Sequence, residues 1–256
     1  MSQVVVITGA ARGLGEGMAR TFAARGARVA LLDRDEAPLD AVVAACGPDA
    51  RGWVVDVTDA GALEAAAAEV SAHFGAVDVL VVNAGVGAGG LFAETEAGDW
   101  DRVVEINLWG SIRTTRAFLP LVVAARGHIL QVASMAAIVP APMMSAYCTS
   151  KSGVEAFAHC LRGELQGQGV TVGVAYLGFT DTDMVRQVDA DPVLREMRAS
   201  MPWPFNVTHR ARPAVARLVR GIDDRKAHVY GQRWVRVLAW ARAALPTLTA
   251  RAFRGR

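Results

Sequence analysis

The chain has 256 residues, of which 52% are hydrophobic and 20% are charged. This length and hydrophobic fraction are enough to form the core of one large α/β domain or of two small ones. The low charged fraction excludes a disordered chain. The net charge of +2 gives no reason to expect nucleic-acid binding, although six arginines and no acidic residue follow Gln232.

The cysteines and histidines show no pattern typical of a metal site. Cys46, Cys148 and Cys160 form no Cys-x-x-Cys motif, and no two of the five histidines form a His-x-x-x-His pair. We therefore expect buried free thiols in a reducing compartment and no bound metal. The N-terminus runs directly into an apolar strand, and no apolar run is long enough to span a membrane, so we expect a cytoplasmic protein.

Short segments rich in Val, Ile and Leu alternate with helical segments along the chain. The predicted strands are Val4–Thr8, Arg28–Asp33, Gly52–Val55, Val77–Val82, His128–Val132, Thr171–Tyr176 and Ala227–Tyr230. The predicted helices are Leu14–Arg25, Ala37–Ala45, Ala60–Phe74, Asp99–Ala125, Ala146–Gln166 and Pro213–Ile222. This alternation predicts a single α/β domain over residues 1–232: a doubly wound parallel sheet of about seven strands with helices on both faces.

The segment from Phe179 to Arg210 interrupts the alternation after the sixth strand. It contains Pro192, Pro202 and Pro204 around a short helix predicted at Val193–Ser200. Ligands of open α/β sheets bind at the carboxyl ends of the strands, where this segment begins. Its apolar residues favour a lid over a substrate pocket rather than an inert surface loop.

The first strand ends in the sequence TGAARGLG, which has glycines at positions 9, 13 and 15. Gly9 permits a tight exit from the strand, Gly13 lets the backbone approach a pyrophosphate, and Gly15 lets the helix pack closely. The helix starting at Leu14 would direct its N-terminus at the phosphates. The loop therefore predicts a dinucleotide site.

Asp33 ends the second strand, where an acidic side chain can accept hydrogen bonds from the adenosine ribose hydroxyls. The same carboxylate would repel the 2′-phosphate of NADP, so it favours NAD. Arg12 and Arg34 flank this position and could attract that phosphate, so NADP stays an alternative.

The stretch SAYCTSK places Tyr147 and Lys151 one helical turn apart on the same face. A neighbouring ammonium favours the phenolate, so we expect Lys151 to lower the pKa of Tyr147 and make it a usable acid and base. Taken alone, the two residues are also compatible with an ordinary surface pair on a helix.

With these motifs in order, the chain resembles the short-chain dehydrogenase/reductase family, which has a Rossmann-type fold, to about Gln232. The matching glycine loop is followed by the family's Asp-Val pair at Asp56 and Val57, and by Asn-Ala-Gly at Asn83, Ala84 and Gly85. The resemblance implies four catalytic residues: Asn107, Ser134, Tyr147 and Lys151. The cofactor contacts that it implies are Gly9, Arg12, Gly13, Leu14, Gly15, Asp33, Arg34, Asp56, Val57, Asn83, Ala84, Gly85, Tyr147, Lys151, Gly178, Thr180 and Thr182.

The family also implies a role for each catalytic residue. Tyr147 would exchange a proton with the substrate oxygen, which Ser134 would orient by a hydrogen bond. Lys151 would hold the nicotinamide ribose, and Asn107 would hold a water that links Lys151 to solvent. Two positions depart from the family's pattern: Val82 replaces a second asparagine, and Leu177 replaces a proline whose loss would loosen the turn beside the nicotinamide.

The expected substrate is a hydrophobic secondary alcohol or its ketone, and the expected cofactor is NAD. The alternatives are an NADPH-dependent ketone reductase of a biosynthetic pathway and a nucleotide-binding scaffold without turnover. The predicted pocket residues are apolar: Ala136, Ile138, Met143, Met144, Leu177, Met184 and Trp203.

Residues 233–256 form a basic extension beyond the expected end of the family's core. From Trp234 to Leu248, one side of a predicted helix carries Trp234, Val237, Leu238, Ala241, Leu245 and Leu248, and Pro246 would kink or end it. The stripe could pack on its own subunit or on a neighbouring one, since the family commonly forms tetramers, and a dimer is the other expected oligomer. Peripheral contact with an anionic membrane is a third, less favoured interpretation.

Overall fold

The computed structural model describes residues 2–243 and Leu245. Seven parallel strands form one sheet in the order β3-β2-β1-β4-β5-β6-β7. Their bounds are β1 Val4–Thr8, β2 Arg28–Asp33, β3 Ala50–Val54, β4 Val79–Val82, β5 His128–Val132, β6 Thr171–Tyr176 and β7 His228–Tyr230. The predicted fold class is confirmed.

Helices cover both faces of the sheet. Their bounds are α1 Gly13–Ala23, α2 Glu36–Cys46, α3 Ala60–Phe74, α4 Ala97–Val104, α5 Gly110–Ala124, α6 Ser145–Leu165, α7 Asp183–Ala190, α8 Pro192–Ala199, α9 Ala211–Asp223 and α10 Val235–Ala241. Alternate strand residues point to opposite faces, so Val4 and Val6 join one buried cluster while Val5 and Ile7 join the other. The sheet is therefore buried on both sides, as its continuous apolar strands require.

One predicted helix is interrupted where a predicted catalytic residue lies. The segment expected as a single helix from Asp99 to Ala125 consists of α4, a π-helical turn at Glu105–Trp109 and α5. Asn107 lies inside this turn, and Ser111 donates its hydroxyl to the Asn107 carbonyl oxygen at 2.7 Å. Insertions of this kind often occur at functional sites, and helical periodicity alone does not reveal them.

The predicted lid is an excursion that is closed at its base. Asp181 N donates to His209 O at 2.8 Å, and His209 N donates to Phe179 O at 2.8 Å. Between these bonds lie two helices, α7 and α8, whereas the sequence predicted only the second. Asp191 caps α8 by accepting from the backbone of Val193 and Leu194.

The basic extension begins with α10, which packs on its own chain. Val235 is fully buried, and Trp234 and Leu238 contact the same core cluster. Two members of the predicted stripe do not pack on their own chain, since Val237 is 68% exposed and Ala241 is also exposed. Trp234 packs on Phe205, and Arg242 pairs with Glu155. Pro246 and Leu248 lie outside the described residues.

Within the described residues, no helix is long and apolar enough to cross a membrane. Over the same part of the chain, no three His, Cys, Asp or Glu side chains are grouped so that they could hold a metal ion. The three cysteines are free thiols, but only Cys148 is buried, whereas Cys46 is half-buried and Cys160 is exposed on α6.

Candidate active site

A cavity of about 870 Å³ opens at the carboxyl ends of the strands, beside β1 and β4. The chain leaves these adjacent strands in opposite directions along the sheet, which is where ligands bind in doubly wound folds. The predicted cofactor residues that line the cavity are Gly9, Arg12, Gly13, Leu14, Asp33, Arg34, Asp56, Val57, Asn83, Ala84, Gly85, Tyr147, Lys151, Gly178, Thr180 and Thr182. Gly15 alone of that set lies behind the lining.

The glycine loop packs so closely against neighbouring backbone that Gly9 and Gly15 leave no room for a side chain. Gly9 has a φ of +64°, and a Cβ there would lie 2.8 Å from the Cα of Ala84. A Cβ on Gly15 would lie 2.0 Å from the Gly9 carbonyl oxygen, so Gly15 brings α1 against the loop. The N-terminus of α1, at Gly13, faces the cavity wall. A loop with bare backbone at Gly9 and Gly13, placed before a helix N-terminus, fits a pyrophosphate.

Thr8 and Asn83 fix β1 and β4 to each other at the cavity floor. The buried Thr8 hydroxyl accepts from the backbone N–H groups of Asn83 and Ala84 at 3.1 and 3.2 Å. The Asn83 amide donates to the carbonyl oxygens of Thr8 and Gly9 at 3.0 and 3.1 Å. The Asn-Ala-Gly sequence therefore holds the glycine loop in shape, which is more than a plain turn would do.

At the end of the cavity beside β2, the backbone holds the carboxylate of Asp33, and a second carboxylate, that of Asp35, pairs with two arginines. Asp33 accepts from Ala11 N at 2.9 Å and from Asp35 N at 3.1 Å. Asp35 forms ion pairs with Arg12 and, at 3.8 Å, with Arg34. Sequence reasoning missed Asp35, although it lies two residues after Asp33. Arg12 and Arg34, whose positive charges could attract a 2′-phosphate, are thus already paired with the Asp35 carboxylate.

Asp56 lies farther along the same wall. Burial alone would raise the pKa of Asp56, but hydrogen bonds from the Thr58 backbone and hydroxyl, with Arg34 and Arg102 nearby, lower it overall. The group is thus ionised at neutral pH.

Ser134 and Tyr147 meet at the opposite end of the cavity. Ser134 follows β5, and its Oγ accepts from Ala136 N at 3.1 Å. Burial raises the pKa of Tyr147, and a hydrogen bond with Ser134 opposes that rise without cancelling it. The expected lowering by Lys151 is therefore wrong for the protein alone: burial outweighs the other influences, and Lys151 is not among them.

Lys151 is 3% exposed and donates from Nζ to the Val132 carbonyl oxygen at 3.0 Å. Burial lowers its pKa to about 8. Its Nζ lies 5.9 Å from the centre of the Tyr147 ring. Gly85 permits this packing, because a Cβ there would lie 3.4 Å from Nζ and 2.9 Å from the Asn107 Oδ1.

Asn107 is completely buried, and its amide joins three segments. Its Oδ1 accepts from Val86 N at 2.8 Å, and its Nδ2 donates to Val86 O at 3.0 Å and to Ser150 Oγ at 3.1 Å. It does not line the cavity. The side chain acts through these bonds as a clamp between the loop after β4 and helix α6.

The family model for short chain dehydrogenases matches residues 3–193. The chain belongs to the short-chain dehydrogenase/reductase family. Its similarity extends to solved structures: a short-chain dehydrogenase/reductase from Burkholderia phymatum, determined in complex with NAD, superimposes with a TM-score of 0.81 at 26% identity, covering 93% of this chain and 92% of that one.

Curated relatives carry several oxidoreductase names. The probable oxidoreductase EphD of Mycobacterium tuberculosis is 43% identical over 187 residues, which are 71% of this chain but 32% of that protein. The chain thus spans about a third of that relative's length. The 3-oxoacyl-[acyl-carrier-protein] reductase FabG of Escherichia coli is 32% identical over 190 residues, covering 74% of this chain and 78% of the enzyme.

The remaining part of this dehydrogenase/reductase cavity, beside Ser134 and Tyr147, is mostly apolar. Four predicted pocket residues line it: Ala136, Met144, Leu177 and Met184. Three predictions are wrong. Ile138 is 3% exposed and belongs to the core, Trp203 is 79% exposed, and Met143 lines an adjoining cavity of about 330 Å³ instead.

Sequence reasoning missed the apolar lining residues Val139, Ala141 and Val188, and it named Val185 and Met201 only as apolar residues of the predicted lid. The residues after position 180 belong to the predicted lid. If α7 had been predicted, its helical period would have placed Val188 one turn beyond Met184 on the same face.

Proposed function

We propose that this chain is an NAD(H)-dependent oxidoreductase that interconverts a hydrophobic secondary alcohol and its ketone. The observation that carries the proposal is the convergence of Ser134, Tyr147 and Lys151 on one end of a cavity whose other end is a glycine loop with Asp33. A nicotinamide cofactor fits this arrangement, and when bound it would supply the hydride acceptor or donor.

The chain's own groups would hold such a cofactor along the whole wall. The N-terminus of α1 and the bare backbone at Gly13 suit the pyrophosphate. Asp33 is kept in place by two backbone N–H groups and would accept from the adenosine ribose hydroxyls. Lys151 would bind the second ribose, and Thr182, whose side chain would lie 3.2 Å from a Cβ on Gly13, would bind the carboxamide.

In the proposed reaction, Tyr147 exchanges a proton with the substrate oxygen, and Ser134 orients that oxygen. The high pKa of Tyr147 makes it a proton donor at neutral pH. Lys151 would lower the pKa of Tyr147 if its ammonium group moved closer to the phenol oxygen. A bound cofactor or substrate with polar atoms between the ammonium and the phenol would have the same effect. Ser134 lowers the pKa of Tyr147 already through its hydrogen bond.

The substrate class follows from the lining beside these residues. Met144, Leu177 and Met184 offer apolar surface, and Ala136 and Ala141 leave room beside them. Burial of a bulky apolar group against such a lining is favourable by about 25 cal/mol per Å² of apolar surface. The lid supplies part of this surface through Val188.

The main alternative is an NADPH-dependent ketone reductase of a biosynthetic pathway. It is favoured by Arg12 and Arg34 and by the likeness to a reductase named for 3-oxoacyl substrates. Against it stands Asp35, which pairs with both arginines. A nucleotide-binding scaffold is disfavoured because all four catalytic positions are retained.

A screen of alcohols with NAD and of ketones with NADH, followed by absorbance of the reduced cofactor, tests the proposal. Turnover of apolar secondary alcohols or ketones is expected, and it should fall by orders of magnitude in Tyr147→Phe. Turnover confined to NADPH and ketones would favour the alternative. Binding of NADH without turnover of any compound would favour the scaffold.

The surroundings of the enzyme are proposals as well. A cytoplasmic homo-oligomer, tetramer or dimer, is consistent with a chain in which Trp109 is 49% exposed and Trp240 is 85% exposed. The basic extension would contribute chiefly to its own subunit, since Trp234 and Val235 pack there, and membrane contact through its outer face stays the less favoured interpretation.

A further inference from the structure

The loop after β6 lacks the proline that the family's pattern places before Gly178. Leu177 stands there instead, so ring closure does not fix the backbone at that position. Gly178, whose own torsions are unrestricted, follows at once. The segment Leu177–Thr180 therefore needs some other restraint if it is to present a fixed surface to the cavity that it lines.

That restraint comes from Gln232, two residues after β7. Its side chain is 4% exposed, and its Oε1 accepts from Gly178 N at 2.8 Å. Its Nε2 donates to Thr180 Oγ1 at 3.1 Å, and that hydroxyl in turn donates to Gly178 O at 2.9 Å. The orientation of the amide is fixed, because the Gly178 N–H can only donate.

These three hydrogen bonds close a ring around Gly178. The ring gives a hydrogen-bond partner to both the N–H and the carbonyl oxygen of Gly178. It uses both the oxygen and the nitrogen of the Gln232 side-chain amide. A buried network with every member paired is rigid.

The other side of the same loop touches the reacting end of the cavity. The Leu177 carbonyl oxygen accepts from Met135 N at 2.8 Å and from Ser134 Oγ at 3.4 Å. Thr182 Oγ1 donates to Thr180 O at 3.2 Å. A displacement of the loop would thus move the proposed carboxamide partner and the acceptor of the Ser134 hydroxyl together.

Trp234 covers the loop from outside. A Cβ on Gly178 would lie 2.9 Å from Cζ2 of the Trp234 ring, and the indole Nε1 donates to His209 Nε2 at 3.3 Å. His209 closes the base of the lid, so the segment that carries Gln232 and Trp234 contacts both the nicotinamide loop and the lid.

We infer that Gln232 is a positioning residue, which holds Leu177–Thr180 in place of the missing proline and thereby fixes the nicotinamide end of the cofactor site. The inference rests on the proposed function for its cofactor. The Gln232 amide itself acts only through Gly178 and Thr180.

The test compares Gln232→Met with a matched control, Gln131→Met. Gln131 is also a buried glutamine, on β5, whose Nε2 donates to Thr115 Oγ1 at 2.7 Å, and it lies outside the cavity lining. Both variants lose a buried amide at nearly constant volume, so a general loss of stability affects both. Thr180→Val, which removes the hydroxyl while keeping Gln232, is the gentler second variant if Gln232→Met fails to fold.

Two measurements separate positioning from mere stability. Amide hydrogen exchange of the cofactor-free protein should be faster at Gly178 in Gln232→Met and Thr180→Val, and unchanged there in Gln131→Met. The dissociation constant of NADH should rise about tenfold, the scale of one or two lost hydrogen bonds. That of ADP-ribose, which lacks the nicotinamide, should not change.

Unchanged exchange at Gly178 together with unchanged NADH affinity would overturn the inference. So would equal losses for NADH and ADP-ribose, since they would indicate a general effect on the fold. If the wild-type chain binds neither compound, the proposed function fails, and faster exchange at Gly178 would still show that Gln232 restrains the loop.

Discussion

Lys151 Nζ donates to the Val132 carbonyl oxygen at 3.0 Å while lying 5.9 Å from the centre of the Tyr147 ring. The ammonium is thus held by β5 and lies near the tyrosine without bonding to it. Since burial lowers the Lys151 pKa to about 8 and raises that of Tyr147, the protein alone keeps both groups protonated at neutral pH. In this state Tyr147 can donate a proton, as reduction of a ketone requires. Oxidation of an alcohol requires Tyr147 to accept a proton, so bound ligands would have to lower its pKa.

The first prediction concerns this proton. Tyr147→Phe should reduce kcat by about 10²–10⁴-fold, because only the transferring oxygen is lost. NADH binding, followed by fluorescence, should persist. Tyr230→Phe is the matched control: Tyr230 stacks on Tyr176 with ring centres 5.3 Å apart and lies outside the cavity lining. Near-normal turnover in Tyr147→Phe would show that another group transfers the proton.

The second prediction concerns the choice of cofactor. The wild type should show a higher kcat/KM with NAD than with NADP, and Asp33→Ala should narrow that ratio by removing the repulsion of the 2′-phosphate. Asp35→Ala should narrow it as well, because Arg12 and Arg34 would lose their carboxylate partner.

Steady-state kinetics with both cofactors checks this, and Glu36→Ala is the control, since Glu36 is exposed and outside the cavity lining. A wild-type preference for NADP would contradict the assignment of Asp33. A ratio that Asp35→Ala leaves unchanged would show that the ion pairs do not influence the choice.

The sequence predicted the sheet, and it named most residues that line the cavity around the glycine loop, because local chemistry determines both. Apolar strands buried on two faces are recognisable from composition, and the glycines at positions 9 and 13 are required by backbone geometry that no other residue adopts readily. Gly15, by contrast, serves helix packing and does not reach the cavity.

What the sequence could not supply depends on tertiary contacts. Ile138 and Val139 are adjacent and both apolar, yet only Val139 lines the cavity, and the short 3₁₀ turn at Met135–Ala137 decides which of them does. The contact of Gln232 with Gly178 joins residues 54 apart in the sequence. The pKa of Tyr147 depends on how deeply it is buried, which spacing to Lys151 does not reveal.

The third prediction concerns acid stability. His128 on β5 is 1% exposed, and burial, with Arg225 and Arg162 nearby, lowers its pKa to about 4. Between pH 6.5 and about 4 the unfolded chain binds this proton and the folded chain does not, so stability falls as the pH falls through that window. The slope from this group is at most about 1.4 kcal/mol per pH unit.

Urea unfolding at several pH values, with His128→Gln beside the wild type, measures this contribution. The variant should lose less stability than the wild type on acidification from pH 6.5 to about 4. Parallel curves for the two proteins would contradict the role of His128.

The fourth prediction concerns the contact between Gly89 and helix α8 of the predicted lid. A Cβ on Gly89 would lie 2.7 Å from Cδ2 of Leu194 on α8 and 2.9 Å from the Met143 carbonyl oxygen. Gly89→Ala should therefore displace the lid and raise KM for the substrate severalfold, while NADH affinity stays unchanged. Gly98→Ala is the control, because a Cβ on Gly98 meets nothing within 4 Å. Equal kinetics for the two variants would mean that the lid does not shape the substrate site.

The fifth prediction concerns the attachment of α10. Arg242 donates to both carboxylate oxygens of Glu155, at 2.8 and 3.1 Å, and Tyr176 donates its hydroxyl to the same carboxylate at 2.7 Å. The Glu155 side chain is 6% exposed. Arg242→Met would leave a buried carboxylate with one partner fewer and should cost about 1–2 kcal/mol, or about 2–8 °C in Tm.

Arg236→Met is the matched control, since Arg236 is an exposed arginine within α10, and the Tm of this variant should stay near that of the wild type. Deleting residues 234–256 should lower Tm further, because Val235 and Trp234 leave the core cluster. Calorimetry and sedimentation in detergent-free buffer measure these effects and the oligomer mass. If the truncated chain keeps both its mass and its Tm but no longer sediments with anionic vesicles that bind the full chain, the extension is a membrane contact. The packing of α10 on its own subunit would then contribute nothing to stability.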